Sequence, residues 1–388
     1  MHNNQSFPAH PATRNSSFEL LRILAMILVI FPHATISLEY SDFVGPGAGQ
    51  ALSEGPLASA LCVTMIRPFM PNVGIGTFFA LAGYFLVLAP PVRFKKIFRM
   101  ACLCLFYSAV SLVMFLAILH GGGYAFPEIE PVGANRFLWY LSTPFAVFRS
   151  YAGGWWFVGI YFILCMLSPR LNAAFRSLSR KGFFCVFLLL FCWHALYAVG
   201  RIQFPSFFRG LFYYGLGAGT RLYGPRNLPR LLTGLVFLAT WILTGLTELW
   251  EVRSAPPDMM WQWISFFGRW ICNGLMIPLA VFALLSFFGA CNLKYSPFVN
   301  GIARTTFGIY LLHTTVPVTA LLWHTARAPA AFYWTPSFPV RVILDTIGVF
   351  IACSAVEFAR EKFLEKHCPK LVDTLYMHFR KVLFPAKP

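Results

Sequence analysis

The chain has 388 residues, of which 58% are hydrophobic and only 12% are charged, and its formal net charge is +17. About a quarter of the residues of a soluble domain are charged, so this composition excludes a soluble globular enzyme and a disordered protein. In so apolar a chain, the positive charge is more typical of the cytoplasmic loops of a polytopic membrane protein than of a nucleic-acid-binding domain.

Ten apolar segments approach the roughly 20 residues that a helix needs to cross a bilayer. In chain order they are 18–37, 72–90, 100–119, 154–169, 183–200, 208–222, 231–249, 266–288, 302–323 and 340–358. The segments 154–169 and 208–222 are short for a full crossing. The pattern predicts an all-α, polytopic integral membrane protein of about ten transmembrane helices. We expect a cytoplasmic N-terminal segment at 1–17, one membrane domain at 18–358 and a basic cytoplasmic tail at 359–388.

The orientation follows from the distribution of positive charge. Most of the 31 Lys and Arg residues fall in the two terminal segments and in alternate connections between the predicted spans. The positive-inside rule therefore predicts that both termini are cytoplasmic. The first apolar run contains Glu19 and Arg22 and reads as a span rather than as a cleaved signal peptide. We expect the lipid bilayer as the main partner, and no nucleic acid.

The first predicted span carries charge, which is costly in a membrane and by default marks a functional site. Arg22 and His33 are 11 residues apart, so they share one helix face and lie roughly 16 Å apart along the axis. Glu19 precedes Arg22 by three residues and can pair with it. Pro32 removes a backbone donor and loosens the helix beside His33, and a histidine suits a general base. The structural alternatives are snorkelling of Arg22 and a hydrogen bond from His33 to a neighbouring helix.

A second histidine lies in the ninth predicted span. There Tyr310 and His313 are three residues apart and face the same side of the helix. Two intramembrane histidines together favour a functional interpretation over a purely structural one.

Small residues predict close helix packing at two places. Gly76, Ala80 and Gly83 form one face of the second span, and Tyr84 beside them is a candidate cavity residue. The Gly-x-Gly-x-Gly run at 215–219 follows no predicted strand, so we interpret it as a packing face and not as a phosphate loop.

A dense basic cluster joins the second and third spans. Arg93, Lys96 and Arg99 belong to it, and positive-inside anchoring explains part of this charge. Lys96 and Arg99 also stand three residues apart at the start of a helix, where backbone N–H groups favour anions. The cluster therefore predicts a phosphate site for a carrier that arrives from the cytosol. We find no His, Cys and Asp grouping with metal-ligand spacing, and expect no metal.

Four stretches of the chain, in order, resemble the acyltransferase-3 family, bacterial integral-membrane enzymes that O-acetylate cell-surface sugars. They are SSFELLRILAMILVIFPHA with Arg22 and His33, VGIGTFFALAGYFLV with the basic loop after it, GGWWFVGIYFILCMLSPRLN with Trp156 and Phe157, and TTFGIYLLH with Tyr310 and His313. Each motif alone is modest, but four in the same order are specific.

The resemblance implies transfer of an acetyl or other acyl group from cytoplasmic acyl-CoA, as donor co-substrate, to a hydroxyl of a cell-surface polysaccharide or lipid-linked sugar. It implies a multi-pass protein of the bacterial inner membrane. Catalytic roles are implied for His33 and Arg22, with Glu19 as the partner of the arginine.

The resemblance also implies binding roles. The Arg-x-x-Arg that holds the CoA phosphates in the family reads Lys96-x-x-Arg99 here, with Arg93 three residues earlier, and lysine lacks the bidentate fork of arginine. We expect the substrate pocket to contain Tyr84, Trp156, Tyr310 and His313.

Two other functions fit the same composition. A transporter or flippase of a sugar or lipid-linked saccharide is also polytopic, basic inside and charged within its spans. A non-catalytic membrane partner of a glycan-synthesis complex is the second alternative. The identity of the acceptor, the acyl chain length, a homo-oligomeric state, and the choice between an acyl-His33 intermediate and a general base all remain open.

Overall fold

The computed structural model describes residues 15–35, 52–92, 94–120, 155–198, 206–225, 228–254, 267–268, 270–315, 318, 333–367 and 370–383. Throughout these ranges the regular structure is helical, and no strand occurs in them. The all-α prediction is confirmed.

The helices used below are numbered in chain order. They are α1 (Ser16–Ala34), α2 (Leu57–Ile66), α3 (Met70–Leu86), α4 (Phe94–His120), α5 (Trp156–Ser177), α6 (Arg180–Ala198), α7 (Ser206–Tyr223), α8 (Arg230–Ser254), α9 (Ile277–Ala290, preceded by a π-helical turn at Cys272–Met276), α10 (Pro297–His313), α11 (Phe338–His367) and α12 (Leu371–Leu383).

Every predicted span overlaps one of these helices, and within the described residues seven apolar helical segments are long enough to cross a membrane. The segment 154–169, which is short in the sequence, belongs to the 22-residue helix α5. The predicted boundaries of the ninth span were wrong, because α10 begins at Pro297 after the Ser296 cap, five residues earlier than expected, and ends at His313. Helices α2 and α12 were not predicted.

Helices α1 and α3 form the centre of the bundle. Helix α1 packs against α3, α9, α10 and α11, and α3 also packs against α7 and α9. Large apolar side chains on the outer helices are instead exposed, for example Leu189 on α6 (71%) and Leu231 on α8 (74%). Such exposure is expected for surfaces that face lipid rather than water.

Helices α3 and α7 run in the same direction and meet along a ladder of contacts four residues apart. Its rungs are Asn72–Arg209, Gly76–Tyr213, Ala80–Gly217 and Tyr84–Arg221. A Cβ on Gly217 would lie 1.8 Å from the Ala80 carbonyl oxygen, and one on Gly83 would lie 1.9 Å from that of Tyr214. Glycine at these two positions lets the backbones touch, so both predicted packing faces are confirmed.

Helices α1 and α10 also run in the same direction, since Ser16 lies beside Asn300 at one end and His33 lies beside His313 at the other. We call the end of the bundle that carries Ser16 and Arg22 the basic end, and the end with His33 and His313 the histidine end. The candidate site lies between these two ends.

Candidate active site

Hydrogen bonds fix the start of α1. The Asn15 side chain accepts from the Ser17 backbone N–H at 2.9 Å and caps the helix, and the acidic Glu19 in the first turn suits the helix dipole. The buried Ser16 hydroxyl accepts from the Ser296 backbone N–H at 2.9 Å, and the Ser17 hydroxyl donates to the Cys291 carbonyl oxygen at 2.6 Å. These bonds tie α1 to the connection between α9 and α10.

A cavity of about 340 Å³ opens between α1, α3, α4, α5 and α10. Its walls are mostly apolar or aromatic, with cations among them. The lining residues are Arg22, Met26, Val29, Ile75, Phe78, Leu81, Ala82, Phe85, Leu86, Lys96, Met100, Phe157, Tyr161, Ala303, Arg304, Thr306, Phe307 and Tyr310.

Three of the lining residues are cations, and two of them are held by acids. Arg22 donates to Glu19 at 2.5 Å, which confirms the predicted pairing, and its side chain is 29% exposed. Arg304 on α10 pairs with Glu361 at 3.0 Å. Lys96, in the first turn of α4, is exposed and makes no ion pair with a described residue. The basic end of the cavity can therefore bind an anion.

Two imidazoles meet at the histidine end. The rings of His33 and His313 approach edge to face, with 5.3 Å between their centroids. His313 Nδ1 lies 2.7 Å from the Ile309 carbonyl oxygen, so Nδ1 carries the proton and Nε2 carries the basic lone pair. The Tyr310 ring, which lines the cavity, is 6.1 Å from that of His313. The cavity thus ends beside a pair of groups that can move a proton.

Helix α5 closes one wall of the cavity. The buried Trp155 donates its indole N–H to the Leu311 carbonyl oxygen at 3.2 Å. The Phe157 ring packs against that of Tyr310 at 5.4 Å and lines the cavity. Trp156, between them, is half-buried and is not a lining residue.

The other predicted site residues lie around the basic end. The Tyr84 ring packs against Phe18 at 4.9 Å and lies under the guanidinium of Arg221, and Tyr84 does not line the cavity. Arg99 donates to Asp373 of α12 at 2.7 Å and is not a lining residue of the cavity. Arg93 lies outside the described residues.

A buried polar network supports α10 from behind. Glu357 on α11, 2% exposed, accepts a hydrogen bond from the Tyr107 hydroxyl and two from Arg360 at 2.7 Å each. A Cβ on Gly308 would lie 2.3 Å from the Glu357 carboxyl carbon, so a side chain at position 308 would have to displace the bonded Glu357 carboxylate. Helices α4, α10 and α11 are thereby held together.

Sequence reasoning missed Arg304. In the sequence it resembles an anchoring cation beside a span, and only the pairing of α1 with α10 places it in the cavity. Its nine-residue spacing from His313 corresponds to opposite faces of one helix, unlike the 11-residue spacing of Arg22 and His33, so periodicity gave no signal. Within the ranges that the structure covers, no three His, Cys, Asp or Glu side chains converge in a way that could hold a metal ion.

A family model described as an acyltransferase domain, Acyl_transf_3, matches residues 15–357. The match begins at the Asn15 cap of α1 and ends at Glu357 on α11, so it spans every helix that lines the cavity. No curated protein matches the chain, and no solved structure matches it.

Proposed function

The chain belongs to the Acyl_transf_3 family of acyltransferase domains, and from that premise we propose that it moves an acetyl group from cytoplasmic acyl-CoA to a saccharide hydroxyl. The acceptor is a cell-surface polysaccharide or a lipid-linked sugar, and the setting is a bacterial inner membrane. One observation carries the proposal: a single cavity joins Arg22, Lys96 and Arg304 at the basic end to Tyr310, beside the histidine pair.

The cavity suits the two halves of an acyl-CoA. Its cationic end matches the phosphates, for which arginine supplies a planar fork and lysine a point charge. Its apolar walls, including Met26, Phe78 and Phe157, match the pantetheine arm and the acyl group. Arg22 and His33 are roughly 16 Å apart along α1, so a thioester that reaches the histidine end still leaves the phosphates near the cations.

The histidine pair supplies the proton chemistry. His33 accepts the proton of the acceptor hydroxyl, whose oxygen attacks the thioester carbonyl carbon. The carbon–oxygen bond forms, the carbon–sulfur bond breaks, and the proton passes from His33 to the leaving thiolate of CoA. His313, fixed by its bond to the Ile309 carbonyl oxygen, orients the His33 ring. Arg22 pairs with Glu19 and lies at the basic end of the cavity, toward the acyl-CoA donor.

Sealed inverted membrane vesicles test the proposal. Acetyl-CoA labelled in the acetyl group is added outside, where the cytoplasmic face is exposed. We expect label in the saccharide fraction as an alkali-labile ester, and none with the Arg22→Ala variant inserted to the same level. If the saccharide crosses the membrane without acquiring label, the protein is a transporter and the proposal fails.

A further inference from the structure

The last described helix, α12, is fixed to α4 by an ion-pair clamp. Asp373 accepts from Lys95 Nζ at 2.8 Å and from Arg99 at 2.7 Å. We call these three residues the Asp373 clamp. Lys95 and Arg99 are four residues apart and share one face of α4, while Lys96 and Met100 share the adjacent face and line the cavity.

Aromatic packing extends the same contact. On α12, Tyr376 and Phe379 face α4, where they pack against Phe94 and Phe98. The closest pair is Phe98 with Phe379, whose ring centroids are 5.2 Å apart. One side of α12 is thus covered by the protein.

A second apolar side of α12 is about half exposed. Leu371 and Leu375 are four residues apart, so they form one strip along the helix. Each is 48% exposed. We call these two residues the leucine strip.

Exposed cations lie on both sides of the leucine strip in the sequence. They lie on the last turns of α11, before α12 and on α12 itself, and they are Lys362, Lys366, Lys370 and Arg380. None of them forms an ion pair with a residue in the ranges given above. A helix that combines an exposed apolar strip with cations is typical of a helix in the membrane interface. A soluble acidic partner would satisfy the cations but would leave the leucines in water.

We propose that α12 is a membrane-surface helix that binds anionic lipid headgroups of the leaflet at the basic end. The leucine strip lies at the boundary between the headgroups and the acyl chains, and the exposed cations contact lipid phosphates. Charge complementarity favours anionic lipid as the ligand of this surface, because the cytoplasmic leaflet carries a negative surface potential that attracts basic segments next to spans. Through the Asp373 clamp, the bound lipid surface fixes the first turn of α4, which carries Lys96 into the cavity.

Hydrogen exchange of the full-length protein in nanodiscs tests the proposal. One set of discs contains phosphatidylcholine alone, and the other contains phosphatidylcholine with phosphatidylglycerol. We expect amides of 371–380 to exchange at least about fivefold more slowly in the anionic discs. This factor corresponds to the binding free energy that one cation contributes at an anionic surface. Inorganic phosphate added to the neutral discs is expected to have no effect.

Three variants separate the lipid contact from the α4 contact. Leu371→Gln with Leu375→Gln should abolish the extra protection in anionic discs. Met377→Gln, equally exposed at 50% but on the side of Asp373, is the matched control and should retain it. In the Asp373→Asn variant, the α12 amides should lose their protection from exchange in neutral discs and keep it in anionic discs.

Four results would overturn the proposal. The first two are equal protection of the α12 amides in both lipid compositions, and a loss of protection with Met377→Gln as large as with the leucine double variant. The other two are a loss of protection with Asp373→Asn in both kinds of disc, and protection that occurs only in discs that hold two copies of the chain. The last result would identify a second copy of the chain as the occupant.

Discussion

The imidazole of His33 meets the imidazole of His313 edge to face, with 5.3 Å between the ring centroids. The two rings come from helices that run in the same direction, and each helix also carries an arginine, Arg22 or Arg304, into the same cavity. Two helices therefore contribute the same pair of groups, a cation at the basic end and an imidazole at the histidine end.

We expect His33→Ala to lower kcat by about 10²–10⁴-fold, the usual contribution of a positioned general base. KM for acyl-CoA should change little, because we propose that the donor phosphates bind at the other end of the cavity. Steady-state kinetics in nanodiscs measures both. His313→Gln, which keeps a side chain able to donate to the Ile309 carbonyl oxygen, should lower kcat less than His313→Ala. An active His33→Ala variant would remove this histidine from the mechanism.

Arg304→Ala should raise KM for acyl-CoA by several-fold to about tenfold, since a charged hydrogen bond at a half-exposed site contributes at the low end of its usual range. Arg304→Lys keeps the charge and should recover most of the affinity. Binding of free CoA, measured by calorimetry, should weaken in parallel. An unchanged KM would mean that Arg304 only pairs with Glu361.

Lys96 and Arg99 should have separable effects, because Lys96 lines the cavity whereas Arg99 donates to Asp373. Lys96→Ala is expected to raise KM for acyl-CoA. Arg99→Ala should leave KM close to the wild-type value and speed amide exchange in α12, because it removes half of the Asp373 clamp. If both variants raise KM equally, the two residues act together on the donor, as the family motif implies.

The Asp373 clamp should be insensitive to pH across the neutral range. Hydrogen bonds from Lys95 and Arg99 hold the pKa of Asp373 below its ordinary value of 3.8. A lowered carboxyl pKa stabilises the folded state fully above the ordinary value, and this stabilisation is lost as the pH falls through the lowered one. Exchange in α12, corrected for its intrinsic pH dependence, should therefore stay constant from about pH 7 to about pH 5. Faster exchange of the α12 amides between about pH 7 and about pH 5 would indicate that a histidine, and not Asp373, controls the contact.

The α3–α7 ladder should not tolerate a side chain at position 217. Gly217→Ala places a methyl group 1.8 Å from the Ala80 carbonyl oxygen, and such overpacking typically costs about 1–3 kcal/mol or more. We expect a lower Tm in detergent or failure to accumulate. Gly348→Ala is the matched control, since nothing lies within 4 Å of its added methyl group, and it should match or exceed wild-type stability. Equal Tm values for both variants would contradict the close contact.

The sequence predicted the features that depend on one helix at a time. Helical periodicity placed Arg22 and Glu19 together, and the small residues predicted the contacts of Gly83 and Gly217. These features follow from the 3.6-residue repeat and from the absence of a Cβ, both of which are local.

The features that sequence reasoning missed depend on which helices meet. Arg304 joins the cavity only because α10 runs alongside α1. Arg99 is separated from Lys96 only because α12 docks on one face of α4, and the periodicity of α4 alone allows both residues to share a ligand. The segment after 358 appeared in the sequence only as a basic tail, although α11 continues to His367 and α12 follows it.

The proposed transfer of an acetyl group to a surface sugar can be measured on the sugar itself. The most direct measurement is mass spectrometry of surface glycans from a strain that lacks the protein, complemented with the wild type, with Arg22→Ala or with His33→Ala. We expect the glycan to lose the mass of one acetyl group in the deletion strain, and only the wild type to restore it. Full restoration by His33→Ala inserted at wild-type levels would show that His33 does not take part in the transfer.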